Sequence, residues 1–462
     1  MYDIAIIGGG TAGCACAYIA GKLGLKTLLI EKNIHLGGAI TSGFVTPVMK
    51  TASQNINCEF YNDFVQYMKK YNAQITYYDG NTGWFNPEIA KIVLDVMMNN
   101  VSVDVVYDCN INNITTRNNT ITSFDIELNN VCSNNKNVNV NNSNRNSTII
   151  LDDKLNNSNR NVTIKSLSDN NLLSLHIESK YFVDTTGDGN FCKKINHNFL
   201  ENENNFQALT LRFLISGIDL ERFKDWVTKI DPNEEVTNCY YVDGQLHLTT
   251  AYTWDNKDWG LTPVFEKAVQ NKDLTPADTA YFQLFTVAGM PGTVSLNCPR
   301  IMADRNLDPL NPIDRSLALK LGRQQIWRLY NFCKKYFEGF ENSFISNIAD
   351  SLGIRESGRI EGKYVMTEND IIAGKLFDKP ACASDYPIDV HSTKKDNSEL
   401  KFVRQPYTMP IEALMSKEYD NLFFAGRCFS GSFKAQAALR TQKNCFSMGE
   451  AVARKIQTML KS

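Results

Sequence analysis

Asp3 to Lys32 reads DIAIIGGGTAGCACAYIAGKLGLKTLLIEK, and the order of residue types in this stretch decides the fold. Ile4 to Ile7 is a continuous apolar run, as expected for a parallel strand covered on both faces, and it stops at three glycines. Gly8, Gly10 and Gly13 match G-x-G-x-x-G, a spacing that lets the backbone turn sharply, approach a pyrophosphate and pack a helix closely on the sheet. The free N–H groups at the start of such a helix suit a phosphate. Small residues from Thr11 to Ala17 fit close helix-to-sheet packing, and Gly24 offers a stop before a second strand, Leu25 to Ile30. Glu31 follows at the strand tip, where a carboxylate would grip the hydroxyl pair of a ribose. Strand, turn, helix, strand and acid in that order predict a dinucleotide site, without choosing between NAD and FAD.

The remaining composition narrows the class. At 462 residues the chain exceeds what one compact core holds, which predicts two or three domains. A net charge of −2 with no basic run argues against nucleic acid or an anionic membrane as the main partner, and no apolar stretch is long enough to cross a bilayer. The first strand begins at Tyr2, leaving no room for a leader ahead of it, so the cytoplasm is the expected location. The 12 cysteines are scattered and, apart from Cys14-x-Cys16 on the first helix, lack the spacings of metal ligands. They are expected to be reduced and mostly buried, Cys428 and Cys445 included, and no metal site is expected.

Between Asn129 and Asn171 the composition becomes asparagine-rich and contains a near-duplication, NNSNRNSTI from Asn141 and NNSNRNVTI from Asn156. Such sequence buries too little apolar surface to offset its ordering entropy and is read as an expanded surface loop at a hairpin tip. The expected organisation is a first domain over 1–205, a second over 206–414 without a further G-x-G-x-x-G, and a return to the first over 415–462.

Three features select the ligand. HLGGAITSG places a Gly37-Gly38 pair just after Glu31, where a loop would lie flat along an extended cofactor; KYFVDTTGDGN ends a strand in a second close backbone approach; NLFFAGRCFSGSFKAQAALRTQKNCFSMGEAVARKI supplies a third glycine turn at Gly426 and a helix. Three turns spread over the chain suit one long cofactor, FAD. The Asp-rich segment is not a calcium loop, because Ile195 stands where a bidentate Glu is needed.

Taken together, GGGTAG, LGGAITSG, VDTTGDGN, GTVSLNCPRI, GIRESGRIEGKYVMTENDI, YPIDVH, YTMPIEALM, NLFFAGRCFS and ALRTQKNCFSMGEAVA resemble the FAD-dependent oxidoreductases of the superfamily that includes fumarate reductase flavoproteins, and more closely the FAD_oxidored branch. The chain departs from that pattern at Gly358-Arg359, where relatives carry two arginines, and at Gly449 to Ala453, where they end in GQAAG. The resemblance implies an α/β fold: a Rossmann-like FAD-binding domain of the glutathione-reductase type with a β-meander, plus an α+β substrate domain. It also implies that Gly8, Gly9, Gly10, Thr11, Ala12 and Gly13 meet the pyrophosphate and Glu31 and Lys32 lie at the adenosine ribose. Gly37, Gly38, Thr41 and Ser42 would follow the diphosphate to the flavin, Thr186, Gly187 and Asp188 would lie near the adenosine half, and Gly426 and Arg427 near the ribityl chain. The last helix would aim its N-terminal partial charge at the flavin N1–C2 edge, with Arg440 beside it. His35 is expected to be a plain loop residue, so the FAD is non-covalent.

For the reaction, AITSGFVTP has no cysteine pair and no second nucleotide motif exists, which excludes a disulfide reductase; the middle segment disfavours oxygen insertion. What remains is hydride exchange between flavin N5 and a small-molecule substrate, which needs a proton donor or acceptor and a cation for any carboxylate. Arg355 is expected to anchor a carboxylate or deliver a proton, and His391 to act as acid or base near neutral pH; Arg300 is a further candidate. An electron-transfer subunit working with an electron-donor protein stays open, as does a tRNA-modifying flavoprotein, which the charge balance disfavours.

Overall fold

The computed structural model describes residues 1–51, 56–77, 80–128, 146–151, 160–166, 173–201, 206–252, 258–391 and 399–462. The fold is α/β. Strands β1 (Tyr2–Ile7), β2 (Thr27–Ile30) and β3 (Asp104–Val106) run parallel, and β4 (Cys109–Arg117), β5 (Thr120–Leu128), β6 (Asn146–Leu151), β7 (Arg160–Ser166) and β8 (Leu173–Asp184) complete most of a nine-stranded sheet. Its order is β3-β2-β1-β8-β5-β4, with Leu422–Phe424 beside β8. Ile4 to Ile7 and all of β2 are buried, as the unbroken apolar runs require of strands covered on both faces.

Strand β8 does two jobs. Its first half pairs antiparallel with β5, from Ser174 opposite Glu127 to Glu178 opposite Ser123, which makes the meander. Its second half pairs parallel with β1 and brings Asp184 level with Ile7. The strand that leaves the meander thereby delivers the residues after Asp184 to the mouth of the first glycine turn.

Helix α1 (Thr11–Lys22) is buried from Thr11 to Ala20. It is flanked by the sheet and by the last helix, and only small residues fit at the crossings. A Cβ on Gly13 would stand 1.9 Å from the Gly8 carbonyl oxygen, and one on Gly449 of the last helix 2.0 Å from that of Ala12. The C-terminal segment forms two helices, α2 (Phe433–Leu439) and α3 (Gln442–Lys461), where one was expected.

A second, antiparallel sheet of six strands carries the other unit, with Phe213–Ser216 between Val294–Leu296 and Phe344–Ile348. A 25-residue helix, Pro312–Tyr336, starts where Asn311 accepts the Ile313 N–H and packs its buried residues into the same core, which holds Phe213, Leu284 and Leu296.

Two expectations change. Within the Asn-rich tract the two copies of the repeat pair with each other, Ser147 opposite Ile164 and Ile149 opposite Val162, and β7 joins β8. Each copy ends in a short β-branched run, which favours a ladder; residues 129–145, 152–159 and 167–172 lie outside the described residues. The chain also rejoins the first core earlier than residue 415. Met366, Ile371, Cys382, Ile388, Tyr407 and Met409 belong to the core around α1, and Met366 bridges to Gly431. Among the described residues no helix is long and apolar enough to cross a membrane.

Candidate active site

Four backbone segments meet at the start of α1. Gly8, at φ +106°, donates its N–H to the Ile30 carbonyl at 2.8 Å, and a Cβ there would strike the Thr185 carbonyl carbon at 2.7 Å. Gly37 donates to the Gly9 carbonyl at 2.8 Å and bridges to Gly10, and a Cβ on Gly38 would lie 3.0 Å from the Gly10 Cα. Gly426 lies within a Cβ's contact of the Ala12 methyl, at 3.2 Å. Gly10 differs from these neighbours. Its backbone is extended, φ −75° and ψ −168°, and a Cβ would find nothing nearer than the Thr185 carbonyl oxygen at 3.9 Å. The backbone before α1 therefore faces open space, the shape a pyrophosphate would fill.

Glu31 stands at the tip of β2, 5% exposed. Its Oε2 accepts the Gly9 N–H at 2.7 Å, and its Oε1 accepts the backbone and side-chain N–H groups of Asn33 at 2.9 and 2.8 Å. Each carboxylate oxygen offers about two lone pairs, so acceptor capacity remains on the Gly9 side. Lys32 points to solvent. Thr41 donates to the Leu36 carbonyl at 2.5 Å and closes the Gly37-Gly38 turn; Ser42 is buried, with its Oγ lacking a partner. The His35 ring meets Asp350 and the Leu36 carbonyl, both at 3.4 Å.

The second glycine motif serves the structure differently from expectation. Thr185, one residue ahead of the expected trio, touches the first turn: its Oγ1 lies 2.9 Å from the Ile7 carbonyl and 2.6 Å from that of Gly8. Thr186 turns back to Asp184 at 2.7 Å. Gly187 and Asp188 are clasped by Arg427, which donates to the Gly187 carbonyl at 3.2 Å, to the Ser357 hydroxyl at 3.0 Å, to the Ile354 carbonyl at 2.8 Å and to Asp188 at 2.5 Å. Burial raises the Asp188 carboxyl, but the Arg427 and Arg315 guanidiniums outweigh it and hold the group below its ordinary value. Arg427 thus buckles two strand ends together, through three of its five N–H donors.

The two residues expected to carry chemistry do come together, and others join them. Ala208 donates its N–H to the His391 carbonyl at 2.8 Å, Thr210 bridges to both Arg300 and Gly353, and the Arg355 guanidinium donates to the Ala208 carbonyl at 2.8 Å. The segment 207–212 therefore aligns Arg300, Arg355 and His391, and adds Arg212, which donates to the Phe44 carbonyl at 3.1 Å. Arg440 ends α2 and reaches the Asp389 carbonyl at 3.2 Å and its carboxylate at 3.6 Å, with 15% of its side chain exposed, so it is not a surface residue. The Arg300 guanidinium lies over the Tyr281 ring, 5.1 Å from its centroid.

His391 is not the neutral-pH acid or base expected of it. Arg300 has only donors, so the His391 Nδ1 at 3.1 Å is an acceptor and Nε2 carries the proton, which it donates to Asp389 at 2.9 Å. Burial, then the Arg355 charge, pushes its pKa down to about 3 against the pull of Asp389, and the ring stays neutral. Burial, with Arg440 and Arg300 close by, pushes Arg355 down to about 9, and burial pushes Arg212 down to about 10. Asp389 is held well below the carboxylate range by His391, Arg440 and Arg355, which outweigh the raising effect of burial.

Among the buried side-chain atoms without a partner are Ser42 Oγ and Thr46 Oγ1 after the Gly37-Gly38 turn, Gln436 Oε1, Thr441 Oγ1 and Gln442 Oε1 on α2 and at the start of α3, and Gln207 Nε2, Arg300 Nε and Arg440 Nε in the arginine cluster; others lie elsewhere in the protein. Gln442 ties the start of α3 to the segment after the Gly37-Gly38 turn by donating to the Val45 carbonyl at 2.8 Å. Buried polar groups are normally paired, so an orphan such as Ser42 Oγ on the segment that meets the first turn suits a polar ligand, and with the opening at Gly10 it fits FAD. The sequence reading missed Thr185, Gln207, Arg212, Tyr281 and Asp389. Thr185 and Asp389 lie inside motifs that had been noticed, whereas Arg212 and Gln207 carry no local signal. Among the described residues no group of histidines, cysteines and carboxylates is arranged for a metal.

Comparison with known proteins shows the family. The family described as FAD dependent oxidoreductase matches residues 3–136 and 128–462. Over 41 residues the chain is 49% identical to thiamine thiazole synthase of Methanoculleus marisnigri, 9% of this chain and 16% of that protein. Over 65 residues it is 34% identical to digeranylgeranylglycerophospholipid reductase of Methanococcus vannielii, 14% of this chain and 17% of that one. The chain thus spans less than a fifth of the length of either curated relative. Among solved structures, a geranylgeranyl bacteriochlorophyll reductase-like protein of Thermoplasma acidophilum covers all of the chain with 79% of its own, at 14% identity and a TM-score of 0.43. L-proline dehydrogenase of P. horikoshii covers 99% with 92% of its own, at 9% identity and a TM-score of 0.42.

Proposed function

Because this chain belongs to the FAD-dependent oxidoreductase family, we propose that it exchanges a hydride between the N5 of a non-covalently held FAD and a small molecule seated in the arginine-lined recess. The observation that carries this reading is the open approach at Gly10, where an added Cβ would meet nothing nearer than the Thr185 carbonyl oxygen at 3.9 Å, at the meeting point of the glycine turns of Gly8, Gly37-Gly38 and Gly426.

When bound, FAD supplies two-electron chemistry as a hydride at its N5. The chain's own residues supply the rest. Backbone N–H groups at the start of α1 would receive the pyrophosphate, and Glu31, which braces Gly9, would accept from a ribose hydroxyl. The start of α3 and Arg440 would supply positive charge to the reduced flavin. His391 and Asp389 position Arg300 and Arg440 and move no proton themselves near neutral pH, because the imidazole is buried, neutral and held at both nitrogens. Arg355, pushed down to about 9 and placed among other cations, holds the substrate and is the side chain best placed to exchange a proton with it.

The test is to purify the protein, photoreduce its flavin without oxygen, and screen small molecules for those that restore the oxidised spectrum. Reoxidation by a defined compound, lost in Arg355→Met, supports the reading. A flavin that only a protein partner can reoxidise would replace it with electron transfer inside a complex.

A further inference from the structure

We infer that the outward face of the helix Pro312–Tyr336 docks a small acidic electron-carrier protein, and that this carrier reduces the FAD. This rests on the proposed reading of the recess and adds the partner from which its electrons come.

The first observation is what the helix turns outward. Ile313, Leu317, Lys320 and Trp327 follow one another at helical spacings that put them on one face, and Arg323 stands exposed beside them. Ile313, Leu317 and Trp327 are 73%, 37% and 60% exposed. From Arg315 to Tyr336 the helix carries no acidic residue. Arg315 faces Asp188 at 3.6 Å, Arg328 donates to Asp278 at 2.7 and 2.8 Å, and Lys335 donates to Asp273 at 2.7 Å. Among the described residues no carboxylate stands against Lys320 or Arg323. A cationic centre between exposed aliphatic side chains and a tryptophan complements an acidic protein surface, because Trp anchors interfaces and opposite charge steers the encounter. A bilayer needs a continuous apolar face, and the apolar face of this helix, with Ala318, Ile326 and Leu329, is already packed in the core.

The second observation is what the helix backs onto. A Cβ on Gly322 would lie 3.1 Å from the Leu211 Cβ and 3.2 Å from the Ile301 Cδ1, so the helix rests directly on the segments that carry Arg212 and Arg300. Gln325 donates to the Arg300 carbonyl at 3.3 Å, and the Asp188 that Arg315 faces is the one clasped by Arg427. One helix, about 10–12 Å across, therefore separates the outward face from the arginine cluster. From Ile313 to Trp327 that face spans about 21 Å at 1.5 Å per residue. This suits the small, brief interfaces of redox encounters, which bury less than about 1,200 Å². In the step itself the carrier loses two electrons, one at a time, and the FAD takes them with one proton from solvent. The substrate then receives both electrons as the hydride.

The experiment uses the FAD-loaded full chain without oxygen. A reduced plant-type ferredoxin and a reduced flavodoxin, both acidic, are mixed with it while flavin reduction is followed by stopped-flow absorbance. At least one carrier is expected to reduce the flavin saturably, at a rate that falls at least tenfold as salt rises from about 20 to 500 mM. The double variant Lys320→Glu, Arg323→Glu should slow that reduction at least tenfold and Trp327→Ala at least threefold. Photoreduction of the flavin, which needs no partner, should stay at the parent's rate in both. The salt dependence needs no variant, so a variant that fails to fold leaves the test intact. Equal rates in the parent and the charge-reversed protein would overturn the inference, as would no reduction by either carrier. Variants that release the protein from phosphatidylglycerol vesicles, or split a dimer in sedimentation, while the carriers act undiminished, would give the face to a membrane or a second copy and overturn it too. A yellow, photoreducible protein with any of these results defeats the inference alone; a protein that takes up no FAD defeats the flavin reading before a carrier is added.

Discussion

Replacing Gly10 by alanine separates the architecture of the glycine turn from its ligand. At Gly10 the backbone is one that alanine adopts without strain, and the new methyl would meet only the Thr185 carbonyl oxygen at 3.9 Å. The unliganded protein should therefore lose nothing, and a gain of about 0.4–1 kcal/mol from the stiffer unfolded chain is expected. The same methyl projects into the space where a pyrophosphate would approach the N–H groups of α1. Displacing a phosphate by about 1 Å turns bonds of ~2.9 Å into contacts too long to count as hydrogen bonds. Losing two of them, at roughly 1.5–3 kcal/mol each for charged acceptors, costs about 3–6 kcal/mol, or roughly 10²–10⁴-fold in FAD affinity. Gly13→Ala is the contrasting control, because its methyl would stand 1.9 Å from the Gly8 carbonyl oxygen and must push α1 away from the sheet. Flavin retention and urea unfolding of both variants, with and without FAD, are the assay. Gly10→Ala binding FAD within about threefold of the parent would refute the placement of the pyrophosphate.

Other expectations follow from single contacts. Glu31→Gln keeps an acceptor for either Gly9 or Asn33 but not both, so thermal stability should fall by about 1–2 kcal/mol and the stabilisation conferred by FAD should shrink as well; an unchanged FAD-dependent shift would reduce Glu31 to a brace. Arg427→Met strands the buried Asp188 carboxylate and should cost about 3–5 kcal/mol in urea denaturation, with less than 1 kcal/mol contradicting the buckle. His247 is fully buried among Tyr77, Trp84 and Tyr240, neither ring nitrogen has a hydrogen-bond partner, and burial pushes its pKa down to about 4. Below its unfolded value near 6.5 the unfolded chain binds a proton that the folded one refuses, so this residue drains stability as pH falls from about 6.5 to 4, by up to roughly 3 kcal/mol. His247→Phe should leave neutral-pH stability equal or higher and flatten that acid limb in pH-dependent unfolding; a destabilised variant with the parent's pH slope would show that the imidazole has a partner.

Local chemistry explains how much of this was readable from residues alone. The first thirty residues announce themselves because strand, turn and helix are set by neighbours a few positions apart: Ile4 to Ile7 are buried, Gly8 takes its positive φ, and Glu31 stands at the strand tip. The recess is different. Arg212, Arg300, Arg355 and Arg440 lie up to more than two hundred residues apart, and segment 207–212, which bridges to Arg300 and Gly353 and accepts from Arg355, meets them only in the folded chain. His391 was misread because neutral-pH chemistry was inferred from its free pKa, while burial and two occupied nitrogens are properties of the fold. The clasp made by Arg427 was invisible for a related reason: its position after a glycine turn says nothing of Asp188, Ser357 and Ile354, which accept from it in the fold. The early return of Met366 to Met409 to the first core carries no composition change to mark it.

The central claim is that the glycine turns at Gly10, Gly38 and Gly426 hold one FAD across the start of α1. Titration of flavin-stripped protein with FAD, followed by absorbance and calorimetry, tests it most directly. One FAD per chain, released by denaturation without a covalent remnant and bound far more tightly than free flavin lacking the adenosine diphosphate, is the predicted result. A colourless protein that takes up no FAD, or one that binds riboflavin as well as FAD, would contradict it.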